Sequence, residues 1–508
     1  MIEQYFIGVD GGTEGLRAGV FDARGNPLAF ASRPYPTNFP KPSWAEQNPQ
    51  DWWRALGLSV RQAVLESGVP TSSIAAICLD TTCCSVVALD AAGDAVRPAL
   101  IWMDVRSGDQ AARIAACGDG ALRVNGYGPV SAEWLAPKAL WLLENEPENF
   151  ARARWVCEYQ DYLNFKLTGR MVASLNNASI RWYYDASRGG FQRSLFEKVG
   201  LGELLEKFPL DVLPMGEVIG PLTSSAAEHL GLPVGTPVVQ GGADAFVAMV
   251  GLGVVKPGRL AFITGSSHLH LGLSDQPLHA KGIWGSYPDA VVPGLFTVEG
   301  GQTSTGSVIA WLRRLIGDSA DAGSYQSLTE AARRLPPGAE GLIVLEHFQG
   351  NRTPHTDPDS RGVISGLTLR HGAEHLFRAV LEGVAFGTEE IFCTMRRAGY
   401  VPEEFVICGG ATRSDLWMKI HADVSGVPLR LTKVADAPAL GSAILAAVGA
   451  GAFSSIPEAC EQMVEFTRTI EPDLNAHAEY QPLLEAYRAT YANLRDTLHA
   501  QAKIGAKT

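Results

Sequence analysis

The feature that most constrains this chain is the run at residues 7–22, IGVDGGTEGLRAGVFD. Ile7 and Val9 alternate with their neighbours, Asp10-Gly11-Gly12-Thr13 forms a bend, and Ala18, Val20 and Phe21 resume an apolar strand. The pattern predicts strand, tight turn, strand. Gly11 and Gly12 let backbone N–H groups come close to an anion, and the Thr13 hydroxyl adds a donor. Asp10, at the strand end, is placed to hold a hydrated Mg²⁺, and Arg17 offers a phosphate a fork of donors. Taken alone, the same run is also that of an ordinary hairpin near a chain end.

A length of 508 residues exceeds what one core supports, so two large domains are expected. The net charge of −12 argues against a nucleic-acid or anionic-membrane surface. A nucleotide must then be held by local donors and a metal. The eight cysteines form no CxxC pair, and the vicinal Cys83-Cys84 cannot bridge easily, so they read as thiols of a reducing compartment. Glu3 and Gln4 stand where a leader segment needs basic and apolar residues, and no apolar run reaches 18 residues. These readings place the protein in the cytoplasm, with neither nucleic acid nor membrane as partner.

Strand–turn–helix alternation continues along the chain and predicts an α/β fold. Asn48 and Pro49 open a helix. Residues 74–79 form a buried strand running into Asp80-Thr81-Thr82-Cys83-Cys84, and an apolar run at 99–103 delivers Asp104 and Arg106. Helices are expected at 134–145 and 159–167. A strand at 237–239 leads to Gly241-Gly242-Ala243-Asp244 and a helix. Residues 259–272, RLAFITGSSHLHLG, repeat the opening theme and point to an internal duplication, with the boundary at 245–257. The second half adds LFTVEGGQTSTG at 295–306, a loop at 349–366, a helix at 374–388, a strand at 405–408 ending in Gly409-Gly410-Ala411, a helix opening at Pro438, and a tail helix at 479–501.

Phosphoryl transfer needs donors around phosphates, a carboxylate-held metal, a base for the attacking hydroxyl and a cleft that excludes water. Two Gly/Thr/Ser bends, Gly11-Gly12-Thr13 and Thr264-Gly265-Ser266-Ser267, come one from each half. Gly409-Gly410-Ala411 carries no bulk and could lie flat against a purine or ribose. Asp244 follows a glycine pair, as a general base could. Singly, each is as readily a turn residue, a loop cap or packing. No Walker loop and no GxGxxG is present, which disfavours a dinucleotide fold.

In this order the motifs resemble the FGGY carbohydrate kinases, on the actin/hexokinase/Hsp70 ATPase fold, over residues 7–451. Residues 138–147, KALWLLENEP, are similar to the first family signature, with Leu135 and Ala139 departing from its strict form; residues 362–382, GVISGLTLRHGAEHLFRAVLE, fit the second at every fixed position. The resemblance implies two ribonuclease H-like, actin-type ATPase domains around a cleft: 1–250, with sugar site, first phosphate turn and base, and 251–508, with the nucleotide site. It implies ATP and Mg²⁺, and a homodimer is common among relatives. It assigns Asp10 to the metal, Gly11, Gly12, Thr13 and Arg17 to the first phosphate turn, Asp244 to the catalytic base, and Gly265 and Ser266 to the second phosphate turn. The segment Glu299-Gly300-Gly301-Gln302 with Gly306 lines the nucleotide site, Gly409, Gly410 and Ala411 meet the adenosine, Ser414 stands where the family has Asn, and Asp436 and Leu440-Gly441 belong to a connecting helix.

The sugar is expected in the first half. The stretch 80–85 carries neither the Arg-Glu of glycerol kinases nor the Met-His of xylulose kinases and resembles the ribulokinase branch, as does Trp102-Met103-Asp104-Val105-Arg106, with Val105 in place of His. Carboxylates such as Asp80 and Asp104 can each accept from two hydroxyls, and Trp44 or Trp102 can cover a carbon chain. Glu46, Thr81 and Arg106 complete the expected substrate contacts, and Gln47 is a further candidate. The expected substrate is a ketopentose, D-ribulose ahead of L-ribulose and xylulose, then a small polyol. A non-catalytic actin-fold ATPase or a sugar-sensing protein are the alternatives of another class.

Overall fold

The opening hairpin forms as its pattern requires. Strand Tyr5–Gly11 pairs antiparallel with Gly15–Asp22, and both faces are buried, with Phe6, Ile7, Val9, Ala18, Val20 and Phe21 inaccessible. The computed structural model describes residues 4–317 and 324–505; Glu3 and the outer limits 1 and 508 of the expected domains lie outside them.

Two sheets of matching plan organise the molecule. The first has six strands in the order Val218–Pro221, Pro237–Val239, Ile74–Thr81, Tyr5–Gly11, Gly15–Asp22, Pro27–Pro34. The second has seven: Trp284–Pro288, Phe296–Gln302, His268–Ser274, Arg259–Thr264, Glu404–Gly409, Leu429–Thr432, Phe466–Ile470. In each, the first hairpin strand pairs in parallel with a strand arriving much later, Asp10 level with Asp80 and Thr264 level with Gly409. The internal duplication expected from residues 259–272 is therefore present as topology.

Helix Asp244–Gly251 and helix Ala437–Gly449 lie side by side between the sheets. The helices approach so closely that a Cβ on Gly441 would stand 2.1 Å from the Val247 carbonyl oxygen, and helix Ala437–Gly449 lies so close on strand Tyr5–Gly11 that one on Gly8 would stand 1.9 Å from the Ala439 carbonyl oxygen. Residues 437–463 belong to the second half by position, yet Ala437, Leu440, Ile444, Ile456 and Met463 pack in one core with Phe6 and Phe246. The long C-terminal helix Leu474–Gly505 docks on the second half through Tyr480, Leu484 and Tyr487. No described helix is long and apolar enough to cross a membrane.

The apolar run at 99–103 forms the short strand Ala99–Leu100 and then turns back, Asp104 N–H donating to the Ile101 carbonyl. One difference from the sequence reading has a plain cause. Helix Ala373–Arg397 continues past the expected end at Thr388, since Glu389 and Glu390 are buried there against Arg396 and Arg488.

Candidate active site

The two Gly/Ser/Thr bends sit at the ends of the two paired hairpins. In the first, Gly12 N–H closes on the Gly15 carbonyl at 3.0 Å, and the Tyr35 hydroxyl holds the Gly12 carbonyl. Trp102 Nε1 donates to Thr13 Oγ1 at 2.8 Å and Gln47 Nε2 to the Thr13 carbonyl at 2.7 Å. The Thr13 hydroxyl thus accepts one bond and keeps its own proton to donate. In the second, Gly265 N–H reaches the Ser267 carbonyl at 2.9 Å, and Gly265, Ser266 and Ser267 are exposed. Helix Gly306–Ile316 starts against this bend: a Cβ on Gly306 would lie 2.4 Å from the Gly265 carbonyl oxygen, so glycine is required there.

Asp244 is the first residue of its helix. The bend before it is fixed by Asn176 Oδ1, which accepts Ala243 N–H at 2.9 Å, and by Ser174 Oγ, which donates to the Gly241 carbonyl at 2.9 Å. Ala245 N–H donates to Asp244 Oδ1 at 2.7 Å. Burial outweighs that bond and pushes the carboxyl up to about 6.

Asp244 lines a cavity of about 280 Å³ together with Thr13, Thr82, Cys83, Cys84 and Trp102 from the first half, and Ser267, Trp284, Glu299 and Arg352 from the second. Arg181 lines it too, with Nη2 3.0 Å from both oxygens of Glu299 and Nη1 3.0 Å from the Tyr287 hydroxyl, and its guanidinium 5.3 Å from the ring centres of both Trp134 and Trp284, which meet edge to face. A second cleft of about 360 Å³ is lined by Arg17, Gly409, Gly410, Thr412, Arg413, Leu431 and Asp436. Arg17 is ion-paired with Asp436 across the two halves. Asp10 lines neither of these two cavities. Burial, then the like charges of Asp244 and Asp436, push its carboxyl up to about 7.

The N-terminal domain of the FGGY family of carbohydrate kinases matches residues 5–251, and its C-terminal domain matches residues 260–450. The chain belongs to the FGGY family of carbohydrate kinases. It is a sugar kinase, with ATP as co-substrate. A ribulokinase of Geobacillus thermodenitrificans is 31% identical over 96% of this chain and 94% of that protein. An FGGY carbohydrate kinase domain-containing protein of Homo sapiens is 31% identical over 96% of each. The crystal structure of xylulose kinase from Rhodospirillum rubrum matches with a TM-score of 0.88 at 30% identity, covering 98% of this chain and 100% of that one.

Within the kinase, several expected site residues sit elsewhere. Glu46, Asp104 and the Arg106 side chain form a buried network under half-buried Trp44, and none of the four lines the Asp244 cavity. Arg106 grips Asp104 with Nε and Nη2, at 2.9 and 2.7 Å, and reaches Glu46 at 2.8 Å; Trp44 lies 3.6 Å over its guanidinium. The carboxylates there are held by arginines and, unlike Glu299, stand off the cavity wall. Asp80 and Thr81 are also fully buried; Ser442 Oγ donates to Asp80 Oδ2 at 2.7 Å, and burial and Asp10 push the Asp80 carboxyl well above its ordinary range. Thr82, Cys83 and Cys84 reach the cavity instead.

Of the residues expected at the nucleotide, Gly301 and Gln302 are buried in their strand, and the Gln302 amide is taken by Glu346, Val384 and Thr388. Ala411 lies beneath the cleft with its N–H on Thr264 Oγ1, and Ser414 caps helix Asp415–Ser425 through Trp417 N–H. Glu299 faces the sugar-side cavity. Arg181, Trp134, Trp284 and Arg352 escaped sequence reasoning, because no local pattern marks a pair 118 residues apart. Lys138 was visible only inside a signature. It is fully buried, with Nζ donating to the carbonyls of Cys84 at 2.8 Å and Ile101 at 2.6 Å, and so pins two segments of the cavity wall.

Proposed function

We propose that this kinase transfers the γ-phosphoryl group of ATP in line to a hydroxyl of a ketopentose, D-ribulose ahead of L-ribulose and xylulose, with Asp244 as general base. The observation that carries the reading is the position of Asp244, on the wall of a polar cavity shared by both halves, at the mouth of which both phosphate-type bends stand. With Oδ1 engaged by Ala245, Oδ2 is left to take the proton of the attacking hydroxyl. Thr13, held by Trp102, and Ser266 donate to the transferring group. Arg17, Gly409 and Gly410 line the cleft in which the nucleoside would lie.

The acidic residues fit a hydrated Mg²⁺. Asp10 is crowded by the like charges of Asp244 and Asp436, which a cation relieves. No cage of three ligating side chains exists among the described residues, as suits an ion that keeps most of its water. Bound at Asp10, it would neutralise charge on the phosphates.

A pentulose presents adjacent hydroxyls to Asp244, Thr82 and the Arg181–Glu299 pair, with Trp102, Trp134 and Trp284 as apolar walls. The ribulokinase relatives support the ribulose placement; the likeness to a xylulose kinase structure favours xylulose as the second reading. The test is a coupled ADP-release screen over pentuloses, hexuloses, small polyols and glycerol. Turnover with D-ribulose is expected; a response confined to xylulose or glycerol would overturn the placement.

A further inference from the structure

Cys83 and Cys84 are adjacent in sequence, both line the sugar-side cavity, and their Sγ atoms lie 3.7 Å apart. In extended chain two neighbouring side chains point to opposite faces. Here Cys84 takes a left-handed backbone, φ 65°, which goes with both thiols reaching one cavity. The support is rigid. Lys138 Nζ holds the Cys84 carbonyl at 2.8 Å, and Glu158 Oε2 accepts Ser85 N–H at 2.8 Å. The other six cysteines include four that are buried, and Cys117 and Cys393, which are partly exposed.

The spacing selects what such a pair can take. A disulfide needs its sulfurs about 2 Å apart, and a pinned backbone opposes that closure. One soft atom bonded to both sulfurs at about 2.3 Å holds them roughly 3.3 to 3.8 Å apart, as its angle runs from a right angle to tetrahedral. Soft thiol ligands favour soft, thiophilic centres. We propose that Cys83 and Cys84 form a chelating dithiol in the sugar cavity that captures a trivalent arsenical, and that its capture blocks phosphorylation.

The chemistry balances without an oxidant. An organic arsonous acid, R–As(OH)₂, condenses with two thiols; two As–O bonds break, two As–S bonds form, and each hydroxyl leaves as water with a thiol proton. Arsenic stays trivalent. The contact with Cys83 and burial hold the Cys84 thiol protonated, so its proton is still present to leave with an arsenic hydroxyl as water when the As–S bond forms.

The loss of turnover rests on the proposed sugar-kinase site, whereas the adduct does not, so the two are read separately. Full-length protein is treated with stoichiometric phenylarsine oxide. Intact-mass measurement should show one phenylarsenic per chain in place of two hydrogens. ADP release should fall more than tenfold, recover with 2,3-dimercaptopropanol but not with 2-mercaptoethanol, and be protected by the sugar that supports turnover. Cys83→Ser should abolish the adduct and keep its own untreated rate under the reagent, while Cys117→Ser and Cys393→Ser still form the adduct. No adduct on the wild type, or an adduct undiminished in Cys83→Ser, overturns the site. An adduct on both thiols with unchanged turnover overturns the block. If no sugar supports turnover, the mass measurement alone decides the dithiol.

Discussion

At Asp244, the helix start aims the carboxyl into the cavity and burial tunes it. Because its pKa rises from 3.8 to about 6, the carboxylate form needed to accept a proton is lost as pH falls. The expected kcat/KM is flat above about pH 6 and declines tenfold per pH unit below it, read from a pH–rate profile. Asp244→Asn keeps an acceptor for Ala245 N–H but offers no base. We expect turnover to drop by about 10²–10⁴-fold with melting temperature and nucleotide binding preserved; near-wild-type turnover would remove Asp244 from the reaction. Thr13 and Asp244 stand on the cavity wall that the sequence pattern led one to expect, because each belongs to a glycine bend that sets its surroundings locally; Asp10, in the same bend as Thr13, lies off that wall. The setting of Asp104, Glu46 and Arg106 was not legible in the sequence, because a carboxylate looks the same whether a sugar or an arginine meets it. Arg106 finds Glu46 at a separation of 60 residues and Arg181 finds Glu299 at 118, beyond the reach of any local motif.

Hairpins and glycine-ended strands were read directly, since their period and punctuation are local. The lengths of buried helices were not, because Glu389 and Glu390 look like a surface until Arg396 and Arg488 arrive. Two predictions belong to elements. Gly8→Ala drives a methyl into the Ala439 carbonyl, so helix Ala437–Gly449 must shift off strand Tyr5–Gly11. A loss of about 1–3 kcal/mol in urea unfolding is expected. His268 and His270, on the strand after the second bend, and His421, on helix Asp415–Ser425, are buried, with the His268 ring centre 6.2 Å from that of His270 and 5.7 Å from that of His421. Burial holds His270 and His421 neutral down to about 3, against 6.5 in the unfolded chain. Depressed folded values mean the stability is complete above pH 6.5 and drains as pH falls towards 3, by about 1.4 kcal/mol per pH unit for each ring. Urea unfolding between pH 7 and pH 5 should show this slope, and His270→Gln should reduce it by one ring's share, about 1.4 kcal/mol per pH unit.

Across the whole molecule, both cavities take residues from both halves. Arg17–Asp436 ties the halves at the cleft of Gly409 and Gly410, and Arg181–Glu299 at the cavity of Asp244. A hinge about the packed helices Asp244–Gly251 and Ala437–Gly449 would close both together and expel water from the transferring phosphoryl group. Small-angle scattering should then record a smaller radius of gyration with sugar and a non-hydrolysable ATP analogue together than with either alone; an unchanged radius would count against closure.

Because residues 437–463 lie in the core of the half that precedes them, the chain does not come apart at its midpoint. A gene fragment ending at residue 251 would encode a sheet stripped of its covering helix on one side. Recombining such enzymes by exchanging front halves therefore requires three crossovers, near 251, before 437 and after 463, and a single splice at the centre would join two pieces that were never fitted to each other.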